Sequence, residues 1–192
     1  RGASMHPVHL ATAVGTLVLT FNAQGRAIHL DWLPNILENL SRSPSDLDAK
    51  RWAVLPPNSQ ELMRALESYF DSGQPLNSDW VFSESLEQSS WSEFQRAVYR
   101  NVMEIPHGET RTYAWVAKKI GRPGAARAVG QALRRNEHLI LVPCHRVVAS
   151  QDLGGFMGSH DPEAPELQFK KRLLSWEHSW RNPMFSFLSA SA

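Results

Sequence analysis

The stretch at residues 139–148 constrains the fold of this chain most, because it places the only cysteine of the sequence within an apolar run. Leu, Ile and Val residues flank Cys144 on both sides, and such a run is typical of a buried strand. Pro143 interrupts the predicted strand, because proline cannot donate a hydrogen bond to a central ladder. We therefore expect the thiol of Cys144 to be held at a fixed, closely packed and mostly buried position.

Two roles are open to such a cysteine. A free cysteine is most often a small buried apolar residue. A thiol with the ordinary pKa is only a few per cent ionised at neutral pH, so a nucleophilic cysteine needs a base or a positive field beside it. The next residue, His145, is the candidate base. Neighbouring side chains of a strand point to opposite faces, so a contact between the Cys144 and His145 side chains requires a bend or a bridging water.

The composition is that of a folded chain: 42% of the 192 residues are hydrophobic and 20% are charged. No apolar run reaches the roughly 18 residues that a membrane-spanning helix needs, and no signal peptide is visible. The net charge is only +1, but residues 90–150 hold ten Lys and Arg against four Glu and no Asp. This local charge of +6 suits a surface that faces a polyanion. A single cysteine excludes an internal disulfide and a Cys-rich zinc site, which suits a reducing cytoplasm.

The first half of the chain predicts a small scaffold. Residues 15–21 and 26–32 are typical of two strands joined by a turn at 22–25. After Pro56-Pro57, Asn58 or Ser59 is expected to cap a helix that ends at Gly73, with an apolar face formed by Leu62, Leu66, Tyr69 and Phe70. The intervening residues 34–55 predict a short helix and a loop, and residues 74–90 a linker with one strand at 80–82.

The second half predicts four helices. The first is capped by Ser90 or Ser92 and ends before Pro106, and the last lies within residues 165–176. Between them, a helix from Thr110 or Thr112 to Ile120, a tight turn at 121–124 and a helix over 125–135 form a helix-turn-helix pattern. The second helix of that pair carries Ala125, Ala128 and Ala132 on one face. Small side chains permit either close helix packing or entry into a DNA minor groove, which is only about 6 Å wide.

Five ordered motifs between Phe94 and Glu177 resemble the methylated-DNA–protein-cysteine methyltransferases, also called 6-O-alkylguanine-DNA alkyltransferases. The motifs are Pro143-Cys144-His145-Arg146-Val147, Ile105-Pro106-His107-Gly108-Glu109 with Thr112-Tyr113, Ala125-Ala126-Arg127-Ala128-Val129-Gly130, Asn136 at its spacing before the cysteine, and Leu173-Leu174-Ser175-Trp176-Glu177. The resemblance favours the nucleophile over the buried apolar residue. It implies an α+β protein with a ribonuclease H-like N-terminal domain at residues 5–88, a helical C-terminal domain with a winged helix-turn-helix at 89–178, and a tail at 179–192.

The implied activity is direct-reversal DNA repair. The alkyl group of 6-O-methylguanine, and more weakly of 4-O-methylthymine, passes from duplex DNA to Cys144 after base flipping, once per protein molecule. No cofactor, metal or membrane is implied. The partner is double-stranded DNA bound through the minor groove, and the protein is expected to be monomeric and cytoplasmic, or nuclear in a eukaryote.

The resemblance also implies roles for individual residues, by the positions that match its motifs. The catalytic residues are Cys144, His145, Glu177 and Asn136. The substrate-binding residues are Tyr113, Arg127, Val147, Phe156, Met157 and Gly158. The DNA-binding residues are Phe94, Gln95, Arg122, Ala125, Ala126, Arg127, Ala128, Gly130, Arg135 and Ser150. Two departures from the family pattern stand out: Phe156 occupies a position that is tyrosine in many relatives, and residues 159–166 form a longer, more acidic crossing.

Three other functions remain as alternatives. An alkyltransferase-like protein would bind lesions without transfer, but such proteins lack the cysteine. A Cys-His hydrolase would turn over many times. A helix-turn-helix regulator would recognise particular sequences and ignore lesions.

Overall fold

The structure, a computed structural model, describes residues 7–33, 52–88 and 90–181. These residues form two compact units. The first unit comprises the described residues up to Ser90 together with Glu137–Leu141, and the second comprises Trp91–Asn136 and the described residues from Val142 onward. The return of Glu137–Leu141 to the first unit had no signal in the sequence. Within the described residues, no helix combines the length and apolar character needed to cross a bilayer.

The first unit is built on an antiparallel sheet of β1 (Val8–Thr12), β2 (Gly15–Phe21) and β3 (Ala27–Leu33). The predicted hairpin of β2 and β3 is confirmed, and its turn is closed by the Asn22 side chain, whose oxygen accepts hydrogen bonds from two backbone N–H groups. Every second residue of β2 is buried, as its alternating sequence requires. The short strand β1 was not predicted.

Helix α1 (Pro57–Ser72) buries the predicted apolar face and ends at Gly73 in the left-handed conformation, as the sequence indicates. The predicted cap is wrong: Pro56 occupies the cap position, and Ser59 lies inside the first turn, where its hydroxyl donates to the Gly25 carbonyl. The helix can begin at proline because its first N–H groups have no partner within the helix.

The strand predicted at residues 80–82 is also wrong. A helical turn at Ser78–Trp80 continues as a π-helical segment at Val81–Ser85. The turn begins there because the Asn77 side chain accepts a hydrogen bond from the Trp80 N–H, which caps a helix.

The second unit contains α2 (Glu93–Met103), α3 (Tyr113–Lys119), α4 (Ala126–Arg134) and α5 (Pro165–Arg181), with a two-residue parallel pairing of β4 (Arg111–Thr112) and β5 (Val147–Val148). Ser92 caps α2 in a reciprocal capping box with Gln95, and Thr112 caps α3. The predicted turn at 121–124 joins α3 to α4, and α3, α4 and α2 pack on one another. The architecture is therefore α+β.

Two predictions lie wholly or largely outside the described residues. They are the mixed segment at 34–55, described only from residue 52, and the tail, described only to residue 181. Helix α5 continues past the predicted end at Trp176 to Arg181.

Candidate active site

The backbone around Cys144 is a turn, which corrects the predicted strand over residues 139–148. Cys144–Arg146 form one 3₁₀ turn, and only Val147–Val148 are extended. The turn is closed by the Arg146 N–H, which donates to the Pro143 carbonyl at 2.9 Å. A 3₁₀ turn has about three residues per turn, so neighbouring side chains do not point to opposite faces as they do in a strand. All three side chains of the turn are buried.

Asn136 holds the thiol in place. Its side-chain amide donates to the Val142 carbonyl at 2.9 Å and to the Sγ of Cys144 at 3.2 Å. Burial raises the pKa of Cys144, and the Asn136 hydrogen bond and the nearby Lys170 ammonium oppose that increase without cancelling it. The resting thiol therefore keeps its proton, and its activation requires a base.

His145 is positioned by Glu177, and both side chains are fully buried. The Nε2 of His145 lies 2.8 Å from Oε1 of Glu177. Because an ionised carboxylate can only accept hydrogen bonds, the ring proton is on Nε2 and Nδ1 carries the free lone pair. Among the described residues, that Nδ1 has no hydrogen-bond partner. Burial lowers the pKa of His145 although Glu177 raises it, so the ring is neutral and able to accept a proton.

Glu177 is the centre of a larger buried network. The guanidinium of Arg146 donates to both of its oxygens, at 2.8–3.1 Å, and the backbone N–H of Gly108 donates to Oε2 at 3.0 Å. Burial favours a raised pKa for Glu177, but His145 and Arg146 outweigh it and hold the pKa well below the usual range. Gly108 can approach because it has φ of +74°, and a Cβ there would lie 3.1 Å from the Glu177 carbonyl oxygen.

Two residues of this site were not predicted from the sequence. Arg146 lies in the Pro143–Val147 motif without a predicted role, yet it pairs with Glu177 and donates to the Ile105 carbonyl at 2.8 Å. Lys170 is fully buried, and its ammonium donates to the carbonyls of Val147, Leu153 and Gly155. Burial lowers the pKa of Lys170 to about 8. A signal was present: Lys170 and Glu177 share the buried stripe of α5 with Leu167 and Leu173, where charged residues are rare.

Cys144 opens onto a cavity of about 590 Å³. The predicted residues among its lining are Tyr113, Ala126, Arg127, Gly130, Phe156, Met157 and Gly158. The Tyr113 hydroxyl donates to the Gly155 carbonyl at 3.1 Å, and burial raises the pKa of Tyr113 to about 12. The expectation of a closely packed site is therefore wrong on the side that faces the cavity. Val147 is also placed differently, since it lies fully buried in β5 and does not line the cavity.

The outer face of α4 differs from the predicted face of small residues. Arg127 and Ala128 are exposed, but Ala132 is buried with Val129 and Leu133 in the core. The exposed face is therefore basic as well as small, since it carries Arg127 and, just after the helix end, Arg135. Arg134, which was not predicted, also lines the cavity.

The remaining predicted DNA-binding residues lie elsewhere in the second unit. The Arg122 guanidinium stacks over the Phe94 ring at 5.6 Å, and Gln95 serves the α2 cap. Arg135 and Ser150 are exposed and do not line the cavity, and Ala125 occupies the N-cap position of α4 without a side-chain hydrogen bond.

Residues 93–179 match the family described as "6-O-methylguanine DNA methyltransferase, DNA binding domain". The chain is 37% identical over 140 residues to the methylated-DNA–protein-cysteine methyltransferase of Mycobacterium leprae. The aligned residues make up 71% of this chain and 81% of that protein. It is 34% identical over 170 residues to the enzyme of the same name from Methanosarcina barkeri, with coverage of 88% and 95%. The chain belongs to the methylated-DNA–protein-cysteine methyltransferase family.

A solved structure supports the same assignment. The crystal structure of Mycobacterium tuberculosis OGT in complex with DNA superposes with a TM-score of 0.65 at 28% identity, covering 91% of this chain and 94% of that one. Family membership gives the Cys144, His145 and Glu177 arrangement a chemical context, since the name of the methyltransferase family specifies a protein cysteine as the acceptor. Cys144 is the only cysteine of this methyltransferase sequence.

Proposed function

We propose that the protein repairs DNA by direct reversal, transferring the alkyl group of 6-O-methylguanine, and more weakly of 4-O-methylthymine, to the Sγ of Cys144. The observation that carries this proposal is the position of Cys144, which lines a cavity large enough for a base and directly precedes His145, the partner of the buried Glu177. A thioether is stable, so the acceptor is not regenerated and each molecule reacts once.

Activation of the thiol begins with proton transfer. The proton of Cys144 passes to Nδ1 of His145, directly or through a water molecule, and the ionised Glu177 stabilises the resulting imidazolium. The thiolate then attacks the alkyl carbon, so that the S–C bond forms as the bond between that carbon and the guanine O6 breaks. The leaving guanine takes up one proton, which balances the proton lost by the thiol.

Tyr113 is suited to assist the leaving group. Its pKa of about 12 keeps the phenol protonated, and its hydroxyl already points to a carbonyl acceptor at the cavity wall. A base held in the cavity can receive that hydrogen bond instead, and the resemblance assigns it to the guanine N3. This donor stabilises the negative charge that develops on the purine as the bond to O6 breaks.

The alkylated base reaches Cys144 only if it leaves the helix. We propose that α3, the turn and α4 act as a winged helix-turn-helix that places α4 in the minor groove, with Arg127 filling the gap left by the extruded base. The exposed Arg127 and Ala128 and the basic charge of this region support the proposal. The first unit is proposed to be a ribonuclease H-like scaffold, and the protein to act as a cytoplasmic monomer.

Mass spectrometry tests the reaction and the acceptor together. After incubation with duplex DNA that carries 6-O-methylguanine, the peptide containing Cys144 should gain the mass of one CH₂ group. The Cys144→Ser protein should bind the same duplex and gain nothing. A wild-type protein that binds the lesion and stays unmodified would instead be a lesion-binding protein.

Base extrusion is tested by comparing duplex and free substrates. Arg127→Ala should slow transfer from duplex DNA by roughly tenfold or more, because extrusion alone requires a few kcal/mol. Its reaction with free 6-O-benzylguanine should change little, and Lys171→Ala, which removes an exposed cation of α5 that does not line the cavity, serves as the control. Equal losses on both substrates would assign Arg127 to the cavity rather than to extrusion.

A further inference from the structure

The cavity wall contains a tight hairpin whose residues take no part in the proposed proton-transfer and alkyl-transfer steps. Phe156 and Ser159 exchange two backbone hydrogen bonds, of 3.0 and 2.9 Å. The two residues between them, Met157 and Gly158, both have positive φ, at +49° and +87°. Positive φ at both central positions is the pattern of a type I′ turn. The sequence at the turn is therefore Met-Gly, in a geometry that prefers Asn-Gly or Asp-Gly.

Met157 is an unfavourable residue for this conformation. Positive φ is uncommon for residues other than glycine, and asparagine and aspartate tolerate it best. Among the described residues, only Ile140 and Met157 combine a side chain with positive φ. Local strain of this kind concentrates at binding and catalytic sites, where the side chain is needed for another purpose than stability.

The hairpin is anchored on both sides, so the position of Met157 is well defined. Phe156 is buried below it, with the Lys170 ammonium 5.8 Å from its ring centre. His160 fits against Gly155 so closely that a Cβ there would lie 2.6 Å from the imidazole. The following residues are held by the hydrogen bond from the Asp161 N–H to the Ser159 hydroxyl.

Met157 nevertheless leaves 39% of its surface exposed while lining the cavity. An exposed apolar side chain in a tight turn that lines the same cavity as Cys144 is available to a ligand in that cavity. The cavity of about 590 Å³ lies within the range that holds drug-sized ligands, and a nucleobase with a methyl group fills only part of it. Space therefore remains for a larger substituent on the base.

We propose that Met157 is a specificity-determining residue that packs against the alkyl group and favours large aromatic groups over methyl. This inference rests on the proposed alkyl transfer and names the adducts the site selects. The thioether of methionine makes favourable contacts with aromatic rings and adapts to irregular shapes. A benzyl substituent on the base can make the sulfur–aromatic contact, and a methyl substituent cannot. Asparagine at position 157 would relieve the backbone strain of the turn, but it would also remove the apolar contact with the alkyl group. This explains why the strained methionine is present.

The test compares Met157→Asn with Met157→Leu on duplexes that carry 6-O-benzylguanine or 6-O-methylguanine. Met157→Asn should lower the ratio of benzyl to methyl transfer rates by about two- to tenfold, the range expected for a sulfur–aromatic contact. Its melting temperature should stay the same or rise, because Asn-Gly suits the turn. Met157→Leu keeps the apolar bulk and should retain most of the ratio. An unchanged ratio in Met157→Asn overturns the proposal.

A binding measurement separates this inference from the proposed function. In the Cys144→Ser background, where no transfer occurs, Met157→Asn should weaken the binding of free 6-O-benzylguanine by a similar factor and leave the binding of free 6-O-methylguanine less affected. If the wild-type protein transfers no alkyl group, the proposed function fails while this measurement still decides the role of Met157. Equal weakening for both bases would overturn the inference alone.

Discussion

Two buried histidines, His138 in the first unit and His145 in the second, differ in the partner of the same ring nitrogen. The Nε2 of His138 lies 3.0 Å from the Ala27 carbonyl oxygen, and the Nε2 of His145 lies 2.8 Å from the Glu177 carboxylate. Both partners only accept hydrogen bonds, so each Nε2 carries a proton. Both rings are at most 1% exposed, and both pKa values are lowered, chiefly by burial.

The charge of the partner separates their chemistry. A carbonyl cannot neutralise an imidazolium, and burial lowers the pKa of His138 to about 4. The ionised Glu177 lies against His145 and stabilises a positive charge there whenever a proton arrives. A buried histidine is thus structural when it meets a neutral acceptor, and becomes a candidate base when a buried carboxylate orients it.

Substituting the two histidines by glutamine gives the largest expected difference. Glutamine preserves a hydrogen-bond donor at each position but cannot act as a base. His145→Gln should slow alkyl transfer by about 10²–10⁴-fold, the usual range for a general base. His138→Gln should leave the rate nearly unchanged. Single-turnover rates of alkyl transfer from methylated duplex DNA, normalised to the folded fraction of each protein, measure the two effects. Similar losses of rate in both variants would show that the two histidines do not differ in function.

Glu177→Gln tests the carboxylate itself. Removing one member of a buried charged pair leaves Arg146 without its counter-charge, and such losses typically destabilise a protein by about 3–5 kcal/mol. The apparent pKa of Cys144 should also rise, because a neutral amide stabilises the imidazolium less. Urea denaturation and the pH dependence of thiol alkylation report the two effects.

Glu109→Gln is the matched control, since Glu109 pairs with Arg111 and Arg181 on the surface. Glu109→Gln should change neither the free energy of unfolding nor the apparent pKa of Cys144 appreciably. An unchanged alkylation profile in Glu177→Gln would make Glu177 a purely structural residue.

Acid should weaken the fold through His138. Its pKa is about 4 in the folded protein against about 6.5 in an unfolded chain, so the unfolded state takes up the proton first. The resulting stability is complete above pH of about 6.5 and is lost as the pH falls towards 4, by an amount on the order of 3 kcal/mol. His145 acts in the same direction. Urea denaturation between these pH values should show that the free energy of unfolding depends less on pH in His138→Gln than in the wild-type protein. Parallel curves for the two proteins would exclude His138 as the cause of the acid destabilisation.

The smallest effect concerns the spent protein. A closely packed thiol, as the sequence predicts, would be overpacked by an added methyl group, but the cavity beside Cys144 provides room for it. The remaining loss is the hydrogen bond from Asn136 to the sulfur, about 1 kcal/mol. A protein of this size should then melt about 2–4 °C lower after methylation. Melting curves before and after reaction test this, and a much larger decrease would restore the overpacking account.

Local sequence signals predicted most elements correctly. The β2–β3 hairpin follows from alternation around Asn22–Gly25, and the end of α1 follows from Gly73. The predictions failed where competing contacts decided the backbone. Residues 139–148 look like a strand by their apolar character, but the chain turns at Cys144–Arg146. Ser59 has the chemistry of a cap, yet its hydroxyl bonds the Gly25 carbonyl, 34 positions away in sequence.

The sequence by itself determined the kind of chemistry, because the cysteine, the candidate base beside it and the matching Asn136 and Glu177 are recognisable by type and order. Only the tertiary structure decided that Arg146 and Lys170 belong to the site and that Val147 and Ala132 belong to the core. The reason is physical: a charge can be buried only where partners from distant parts of the chain converge on it. Glu177 receives Gly108, His145 and Arg146 in this way, and the spacing of residues along the sequence does not encode that convergence.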